Sequence, residues 1–204
     1  MRIQEKKRQQ IRYVTVTGML SALSAVLMML SFSVPFMPSF IKMDFSEMPA
    51  LIAAFSMGPL SGVTVCLIKN LINVCFTSTG GVGELANFLL GCCFVLPAGL
   101  LYHHRKNRKM ALIGSLIGAG AMAVASLPLN YFVTYPIYTK FLPLDAIVGM
   151  YQAIVPSVDG LFWCLLFFNV PYTFLKGALD AAITFLVYKR ISPLIHGKSK
   201  NCAD

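Results

Sequence analysis

Apolar and polar residues follow one another along this chain in long blocks. Six apolar runs can be marked, at residues 13–32, 49–57, 60–76, 84–102, 111–138 and roughly 160–188. A helix rises about 1.5 Å per residue, so a run of about 20 apolar residues crosses the hydrocarbon core of a bilayer. The pattern therefore predicts an all-α protein with several helices of membrane-spanning length.

The breaks between these runs set the number of helical segments. A Gly58-Pro59 turn separates 49–57, which is too short to cross alone, from 60–76. Pro128 predicts a kink or an end in the 111–138 helix, because proline removes a backbone hydrogen bond. Counting the two halves of 49–76 separately gives six transmembrane helical segments, whereas merging them gives five.

The basic residues decide between these two counts. Thirteen of the 17 lysines and arginines lie in three short segments, 2–12, 105–109 and 189–200. Such clusters mark the cytoplasmic side of a multi-spanning membrane protein. Six segments place all three clusters on that side, with both termini cytoplasmic, whereas five would place two of them outside. The predicted organisation is a basic N-terminal segment (1–12), a membrane domain (13–193) and a cytoplasmic tail (194–204).

The composition agrees with an integral membrane protein and excludes two other classes. Of the 204 residues, 57% are hydrophobic and 12% are charged, and the mean hydropathy is +0.71. A soluble domain carries about 25% charged residues, so this chain cannot cover a surface that faces water. The net charge of +9 comes mainly from the clusters described above, which do not form a nucleic-acid footprint.

Acidic residues collect on the opposite side of the predicted membrane. Five of the eight fall in outer loops or at outer helix ends: Asp44, Glu47, Glu84, Asp145 and Asp159. Two lysines lie among them, Lys42 and Lys140, and no arginine. The outward side is therefore mildly acidic and poorly suited to gripping an anion, for which the arginine fork is best shaped.

Four polar residues in the predicted outer half of the bilayer form the candidate binding site. Glu84 and Asn87 open the 84–102 run, and helical rise places Asn130 and Lys176 at a similar depth. Polar groups are costly in hydrocarbon and are usually retained for function. Their convergence from three helices predicts a pocket just inside the outer surface.

Each of these residues also has a structural interpretation, which the sequence leaves open. Glu84 suits a helix N-terminus through the macrodipole, and Asn130 suits carbonyl groups freed by the nearby proline. Lys176 can pair with Asp180 one turn later. Deeper in the membrane, Lys69 and Asp180 are predicted to pair with each other across helices, because a lone charge there is expensive.

The sequence patterns do not support enzymatic chemistry. The chain lacks the P-loop pattern G-x-x-x-x-G-K-[ST] and the hydrolase patterns H-E-x-x-H and G-x-S-x-G. The three histidines lie in segments predicted to be cytoplasmic and do not suggest a metal site. An intramembrane enzyme that uses Asp180 or Glu84 as an acid or base is the alternative, and it has no paired nucleophile or metal site.

The first helix carries small residues spaced four apart. Gly18 and Ala22 form one such pair, and Ser21 and Ala25 form another. Faces of small residues let helices approach closely in lipid. This face therefore fits either a partner helix or packing inside the bundle.

Three segments of the sequence resemble a known family. They are KMDFSEMPALIAAFSMGPLSGVTVCLIKNL (42–71), GVGELANFLLGCCFVLPAG (81–99) and VPYTFLKGALDAAITFLVYKRISPL (170–194). Through them the chain is similar to the riboflavin-specific substrate-binding subunits of energy-coupling factor (ECF) vitamin transporters. The similarity runs from the first helix to Pro193, and the strings DFSEMPAL and GELANF are its most specific parts.

The resemblance implies a non-enzymatic membrane subunit, in the cell membrane of a prokaryote, that captures riboflavin on the outer side and needs no cofactor. Its implied partners are a transmembrane coupling subunit and two ABC-type ATPases, which use the ATP. The implied ligand-binding residues are Leu85, Ala86, Asn87, Asn130, Thr173 and Lys176. Thr173 stands where the family's pattern has asparagine. The implied docking face for the coupling subunit is Gly18, Ser21, Ala22 and Ala25, and loop 33–46, with Phe36, Phe40 and Phe45, is the implied lid.

Related ligands remain as alternatives. Folate and pantothenate are anions, and the lack of an outer arginine weighs against them. Flavin mononucleotide (FMN) is harder to separate from riboflavin, because one lysine can hold its phosphate. A facilitator that carries flavin alone, without ATPases, is a further alternative.

Overall fold

The structure of the protein is a computed structural model. The described residues are 2–35, 37–38, 41–77, 80–140, 143–156, 158 and 160–196. Four features named above lie outside these ranges: Phe36 and Phe40 of the predicted lid, Asp159, and the tail residues 197–204.

Helices make up most of the described chain. They are α1 (Arg2–Met29), α2 (Glu47–Met57), α3 (Pro59–Val74), α4 (Val82–His104), α5 (Arg108–Leu129), α6 (Tyr135–Tyr138), α7 (Leu144–Gln152), α8 (Leu161–Cys164) and α9 (Val170–His196). Two π-helical turns, Asn130–Thr134 and Leu165–Asn169, join α5 to α6 and α8 to α9. Between α1 and α2, strands β1 (Phe32–Ser33) and β2 (Lys42–Met43) pair antiparallel, with Phe32 opposite Met43.

Four continuous helical stretches among the described residues are long and apolar enough to cross a membrane. They are Lys6–Met29, Val82–His104, Arg108–Tyr138 and Leu161–Val187. Helices α2 and α3 are apolar but shorter, with 11 and 16 residues. The prediction of a helical membrane protein is confirmed, and the count of six spans stays a prediction.

The turn between α2 and α3 lies where the sequence placed it. Gly58 has a φ of 108°, a region that side chains with a Cβ rarely adopt, and Pro59 is the first residue of α3. The turn at Gly58 reverses the chain, so α3 runs back beside α2, with Gly62 of α3 packed against Ala54 of α2. The chain therefore does not continue as one long helix through 49–76.

The structure differs from the predicted elements in three places. Helix α1 begins at Arg2 rather than near residue 13, because the basic segment is rich in helix-forming Gln, Lys and Arg. The fifth helix passes through Pro128, and its irregularity is the π-helical turn that comes after it. Helix α7, whose buried face holds Ile147 and Tyr151 four residues apart, was not predicted from the sequence.

Helix α2 lies at the centre of the bundle. It contacts α1, α3, α4 and α9, and every residue from Glu47 to Phe55 is buried. Most of these residues are small or aliphatic, which lets four helices approach one axis. A buried acid, Glu47, thus enters the core at the start of α2.

The bundle has two ends that differ in composition. We call the "cavity end" the one formed by the β hairpin, the last turn of α3 and the first turn of α4. We call the "basic end" the one formed by the start of α1 and the 105–107 loop. Gly58 lies at the basic end, because a Cβ built on it would be 3.9 Å from the His103 ring.

Candidate functional site

A cavity of about 450 Å³ opens at the cavity end of the bundle. Its walls come from α1, the loop before α2, α3, α4, α5, α6, the two π-helical turns and α9. The volume lies within the range of about 300–1,000 Å³ that is usual for small-molecule sites. Apolar side chains such as Met28, Leu90 and Met122 share the lining with amide, hydroxyl and charged groups.

The structure brings five of the six predicted ligand-binding residues to this cavity. Ala86, Asn87, Asn130, Thr173 and Lys176 all line it. They come from α4, from the first π-helical turn and from α9. Helical rise predicted the shared depth of Asn87, Asn130 and Lys176, whereas Ala86 and Thr173 were predicted from the family resemblance.

The sixth predicted residue, Leu85, is placed differently. Its side chain is 48% exposed and is not part of the cavity lining. Its backbone N–H donates to the Gly81 carbonyl oxygen at 3.0 Å. A ligand-binding role for Leu85 stays a prediction that this placement does not favour.

The start of α4 positions two polar groups at the cavity. Gly81, with a φ of 87°, turns the chain into the helix. Glu84, in the first turn, accepts a hydrogen bond from Asn73 Nδ2 at 3.4 Å and lines the cavity. Asn87 Nδ2 lies 3.8 Å from Met28 Sδ, so a polar donor here faces a soft acceptor on α1.

The two π-helical turns place two asparagines in the cavity wall. Asn130 is the first residue of one turn, and Asn169 is the last residue of the other. Such turns occur often at functional sites, because they shift the direction of side chains within a helix. Asn130 was predicted from the sequence, and Asn169 was not.

A buried ion pair borders the cavity. Lys176 Nζ donates to Asp44 Oδ2 at 2.8 Å, and both residues line the cavity. Asp44 Oδ1 also accepts from the Ser46 backbone N–H at 2.9 Å and from the Ser46 hydroxyl. The pair ties the end of the 33–46 loop to α9.

The pKa of Asp44 reflects two opposing effects. Burial alone raises the pKa of this carboxyl group. The ammonium groups of Lys176 and Lys69, together with the hydrogen bonds from Lys176 and Ser46, outweigh burial and hold the pKa well below its ordinary value. Asp44 is therefore a firmly ionised partner for Lys176 at neutral pH.

A second ion pair lies next to the first. Lys69 Nζ is 2.6 Å from Glu47 Oε1 and 2.6 Å from Ser46 Oγ, and both charged side chains are fully buried. Cys66 Sγ lies 3.5 Å from the other oxygen of Glu47. Because Ser46 bonds to both Lys69 and Asp44, the two ion pairs form one continuous polar network.

The predicted pairing of Lys69 with Asp180 is wrong, and so is the alternative of Lys176 with Asp180. The lysines pair with Glu47 and Asp44, while both carboxylate oxygens of Asp180 are buried and make no hydrogen bond within the described residues. Depth along separate helices suggested the wrong partner, because the loop before α2 and the first residue of α2 enter the bundle and bring two acids, Asp44 and Glu47, to the lysines. The closely spaced acids of the DFSE string are the sequence signal for these partners.

The charges in the cavity balance. Among the described residues that line it, two are basic, Lys42 and Lys176, and two are acidic, Asp44 and Glu84. A cavity with this balance and several amide and hydroxyl groups suits a ligand that is polar but carries no net charge.

The small residues of α1 point in two directions. Gly18 and Ala22 are exposed, and a Cβ built on Gly18 would have no atom within 4 Å. Ser21 and Ala25 are buried, and Ser21 Oγ donates to the Thr17 carbonyl oxygen at 2.8 Å. The docking role of these four residues stays a prediction, and two of them also pack inside the bundle.

Comparisons with known proteins give a consistent result. Residues 12–188 match the family model described as ECF transporter, substrate-specific component. The Riboflavin transporter RibU of Staphylococcus aureus (strain TCH60) is 34% identical over 185 residues, which cover 91% of this chain and 92% of that protein. The Riboflavin transporter FmnP of Bacillus subtilis (strain 168) is 32% identical over 191 residues, which cover 91% and 95%.

A solved structure shares the fold. It was described in work on the structure and mechanism of the S component of a bacterial ECF transporter. The TM-score is 0.72 at 32% sequence identity, and the match covers 91% of this chain and 98% of that one.

Proposed function

The chain belongs to the family of substrate-specific components of ECF transporters, and from this we propose that it is a riboflavin-binding subunit of such a transporter. It is a membrane transport component and not an enzyme. Its ligand is cargo, so the pocket has to bind the vitamin and release it unchanged.

The observation that carries this proposal is the chemistry of the cavity. Riboflavin is an uncharged planar ring with an imide-like edge and a chain of hydroxyl groups. The carboxamide of Asn130 can both donate to and accept from the imide edge, and the Thr173 hydroxyl can do either. Lys176 has three N–H donors, of which Asp44 takes one, so two are left for the ring carbonyl groups.

The proposed topology has six spans with both termini in the cytoplasm. The basic end carries two of the three basic clusters, at 2–12 and 105–109, in agreement with the positive-inside rule. In this orientation the cavity opens outward, and loop 33–46 covers it as a lid. The vitamin is captured from outside the cell membrane of a prokaryote.

Release inward is proposed to require partners, and the family resemblance implies a transmembrane coupling subunit and two ABC-type ATPases. We place the docking contact on the small-residue face of Gly18, Ser21, Ala22 and Ala25. The exposed members, Gly18 and Ala22, allow a partner helix to approach the α1 backbone closely. ATP hydrolysis in the partners then drives the reorientation that releases the vitamin.

Riboflavin binding is tested first by quenching of its fluorescence with the detergent-purified protein. The wild-type protein is expected to quench, and Asn130→Ala and Lys176→Ala are each expected to weaken binding by about tenfold or more, since about 1.4 kcal/mol is tenfold. Asn107→Ala is the matched control, because this amide caps α5 at the basic end. Absence of quenching by folded wild-type protein contradicts the riboflavin assignment.

The docking face is tested separately. Ala22→Phe is expected to abolish co-purification with the coupling subunit and ATPases while riboflavin binding is kept. Leu23→Phe, an exposed position on another side of α1, is the control and should assemble normally. Equal assembly by both variants contradicts the proposed face.

A further inference from the structure

A chain of three buried side chains leads from α7 to the cavity wall. The hydroxyl groups of Tyr135 and Tyr151 are 2.6 Å apart, and Tyr151 donates to Asn169 Oδ1 at 2.9 Å. Tyr135 and Asn169 line the cavity, whereas Tyr151 is fully buried behind them and is not part of the lining. Polar groups buried this deeply are costly to the fold unless they form hydrogen bonds, as these three side chains do.

The hydrogen bonds in this chain have a single direction. A tyrosine hydroxyl carries one proton, and that of Tyr151 is given to Asn169. Tyr135 must therefore be the donor in the bond between the two hydroxyl groups. The direction runs from Tyr135 through Tyr151 to the carboxamide oxygen of Asn169.

The Asn169 carboxamide is oriented with Oδ1 toward Tyr151. Its oxygen is engaged there, so the two N–H groups on Nδ2 are left to donate elsewhere. Asn169 ends the second π-helical turn, four residues before Thr173, and both residues line the cavity. Because Asn169 lines the cavity, its amide can donate to a bound ligand.

We infer that Asn169 is a further ligand-binding residue, and that Tyr151 is a positioning residue that orients its amide to donate to a ring carbonyl oxygen of the flavin. This inference rests on the proposed function for the identity of the ligand. A carbonyl oxygen only accepts hydrogen bonds, whereas the hydroxyl groups of the flavin's side chain both donate and accept, so a purely donating group matches the ring carbonyl. The rigid support by Tyr151 reduces the entropy that the amide loses when the ligand binds.

The closing experiment measures riboflavin affinity in three variants. Asn169→Leu removes the amide at similar volume, and Asn169→Asp keeps an acceptor for Tyr151 but removes the donor. Each is expected to weaken riboflavin binding about tenfold or more. Tyr151→Phe removes the orienting hydroxyl and is expected to weaken binding about threefold to tenfold. Tyr102→Phe, which lies in a different cluster against Phe55, is the matched control and should bind like the wild type.

A spectroscopic readout separates ligand contact from mere support of the fold. The carbonyl stretching bands of bound riboflavin, measured by infrared difference spectroscopy, should shift to higher frequency in Asn169→Leu and Asn169→Asp. Wild-type affinity in both variants, or weaker binding with unshifted carbonyl bands, overturns the inference. If the wild-type protein itself does not bind riboflavin, the proposed function fails instead, so the two failures are distinguishable.

Discussion

Within the described part of the chain, two lysines are buried between the helices, and their surroundings differ. Lys69 is enclosed on all sides, with Glu47 at 2.6 Å and Ser46 beside it, and it does not line the cavity. Lys176 pairs with Asp44 at 2.8 Å, and this pair forms part of the cavity wall. The first pair joins α2 to α3, whereas the second joins a loop to α9.

The two pairs are therefore expected to have different roles in one polar network. The Lys69–Glu47 pair stabilises the fold, and the Lys176–Asp44 pair contributes to binding. A buried charge that loses its partner is strongly destabilising when water cannot reach it. At the cavity wall water or a ligand can take the place of a missing partner, so the same loss has a smaller effect on the fold and a larger one on binding. Ser46 bonds to both pairs and couples the two regions.

The largest loss of stability is expected from breaking the enclosed pair, Lys69 with Glu47. Glu47→Gln leaves Lys69 without a counter-ion and is expected to lower the free energy of unfolding by about 3–5 kcal/mol. Thermal unfolding in detergent measures the loss. Replacing both residues by methionine should recover most of the stability, because no buried charge is then left unpaired. Stability of Glu47→Gln equal to that of the wild type contradicts the structural role of the pair.

Breaking the Lys176–Asp44 pair is expected to affect stability less and riboflavin binding more. Asp44→Asn weakens the attachment of loop 33–46 and lets Lys176 change position, so riboflavin affinity should fall by about tenfold, or about 1.4 kcal/mol. Its unfolding temperature should stay well above that of Glu47→Gln, because water in the cavity can solvate the ammonium group. Equal destabilisation by Asp44→Asn and Glu47→Gln would contradict the proposed difference between the two ion pairs.

Gly91 packs against Glu47, so a substitution there can disturb the Lys69–Glu47 pair without removing a charge. A Cβ built on Gly91 would lie 2.9 Å from Glu47 Oε2 and 3.1 Å from Cys66 Sγ. Gly91→Ala is therefore expected to destabilise by about 1–3 kcal/mol through overpacking, with riboflavin affinity kept. Gly120→Ala is the control, because a Cβ there meets no atom within 4 Å. Equal unfolding temperatures for the two variants would count against the close packing of α4 on Glu47.

The smallest effect is expected from pH. The pKa of Asp44 is depressed in the folded protein, so its stabilising contribution is present above the unfolded pKa of about 3.9 and is lost as pH falls through the folded value. From pH 8 to pH 5 Asp44 should therefore cause no change in riboflavin affinity. Titrations of wild type and Asp44→Asn in parallel measure this. A fall of affinity near pH 5–6 that is missing in Asp44→Asn contradicts the ionised pair.

The features that could be predicted from the sequence depend on local patterns. Apolar runs predicted the helices, and Gly58-Pro59 predicted the turn between α2 and α3. Helical rise alone brought Asn130 and Lys176 to one depth, and both line the cavity. These conclusions needed no knowledge of how the helices pack.

The features that were missed depend on the placement of segments across the bundle. Glu47 and Asp44 were predicted in outer loops or at outer helix ends, because the sequence does not show that the loop before α2 and the start of α2 enter the core. A π-helical turn changes hydrogen bonds by a single residue and leaves no trace in composition, so Asn169 was missed. Asp180 was expected to have a partner, and the structure gives it none within the described residues.

The two π-helical turns also affect how this chain should be compared with its relatives. Each turn holds one residue more than an α-helix would over the same stretch, so a single deletion there restores regular helix. The helix on either side keeps its direction, and only the residues within the turn face differently. In an alignment such a change is only a one-residue gap, within 130–134 or 165–169. We expect a relative with that gap to present different side chains to its ligand. Such a gap would therefore indicate a changed vitamin preference within the family.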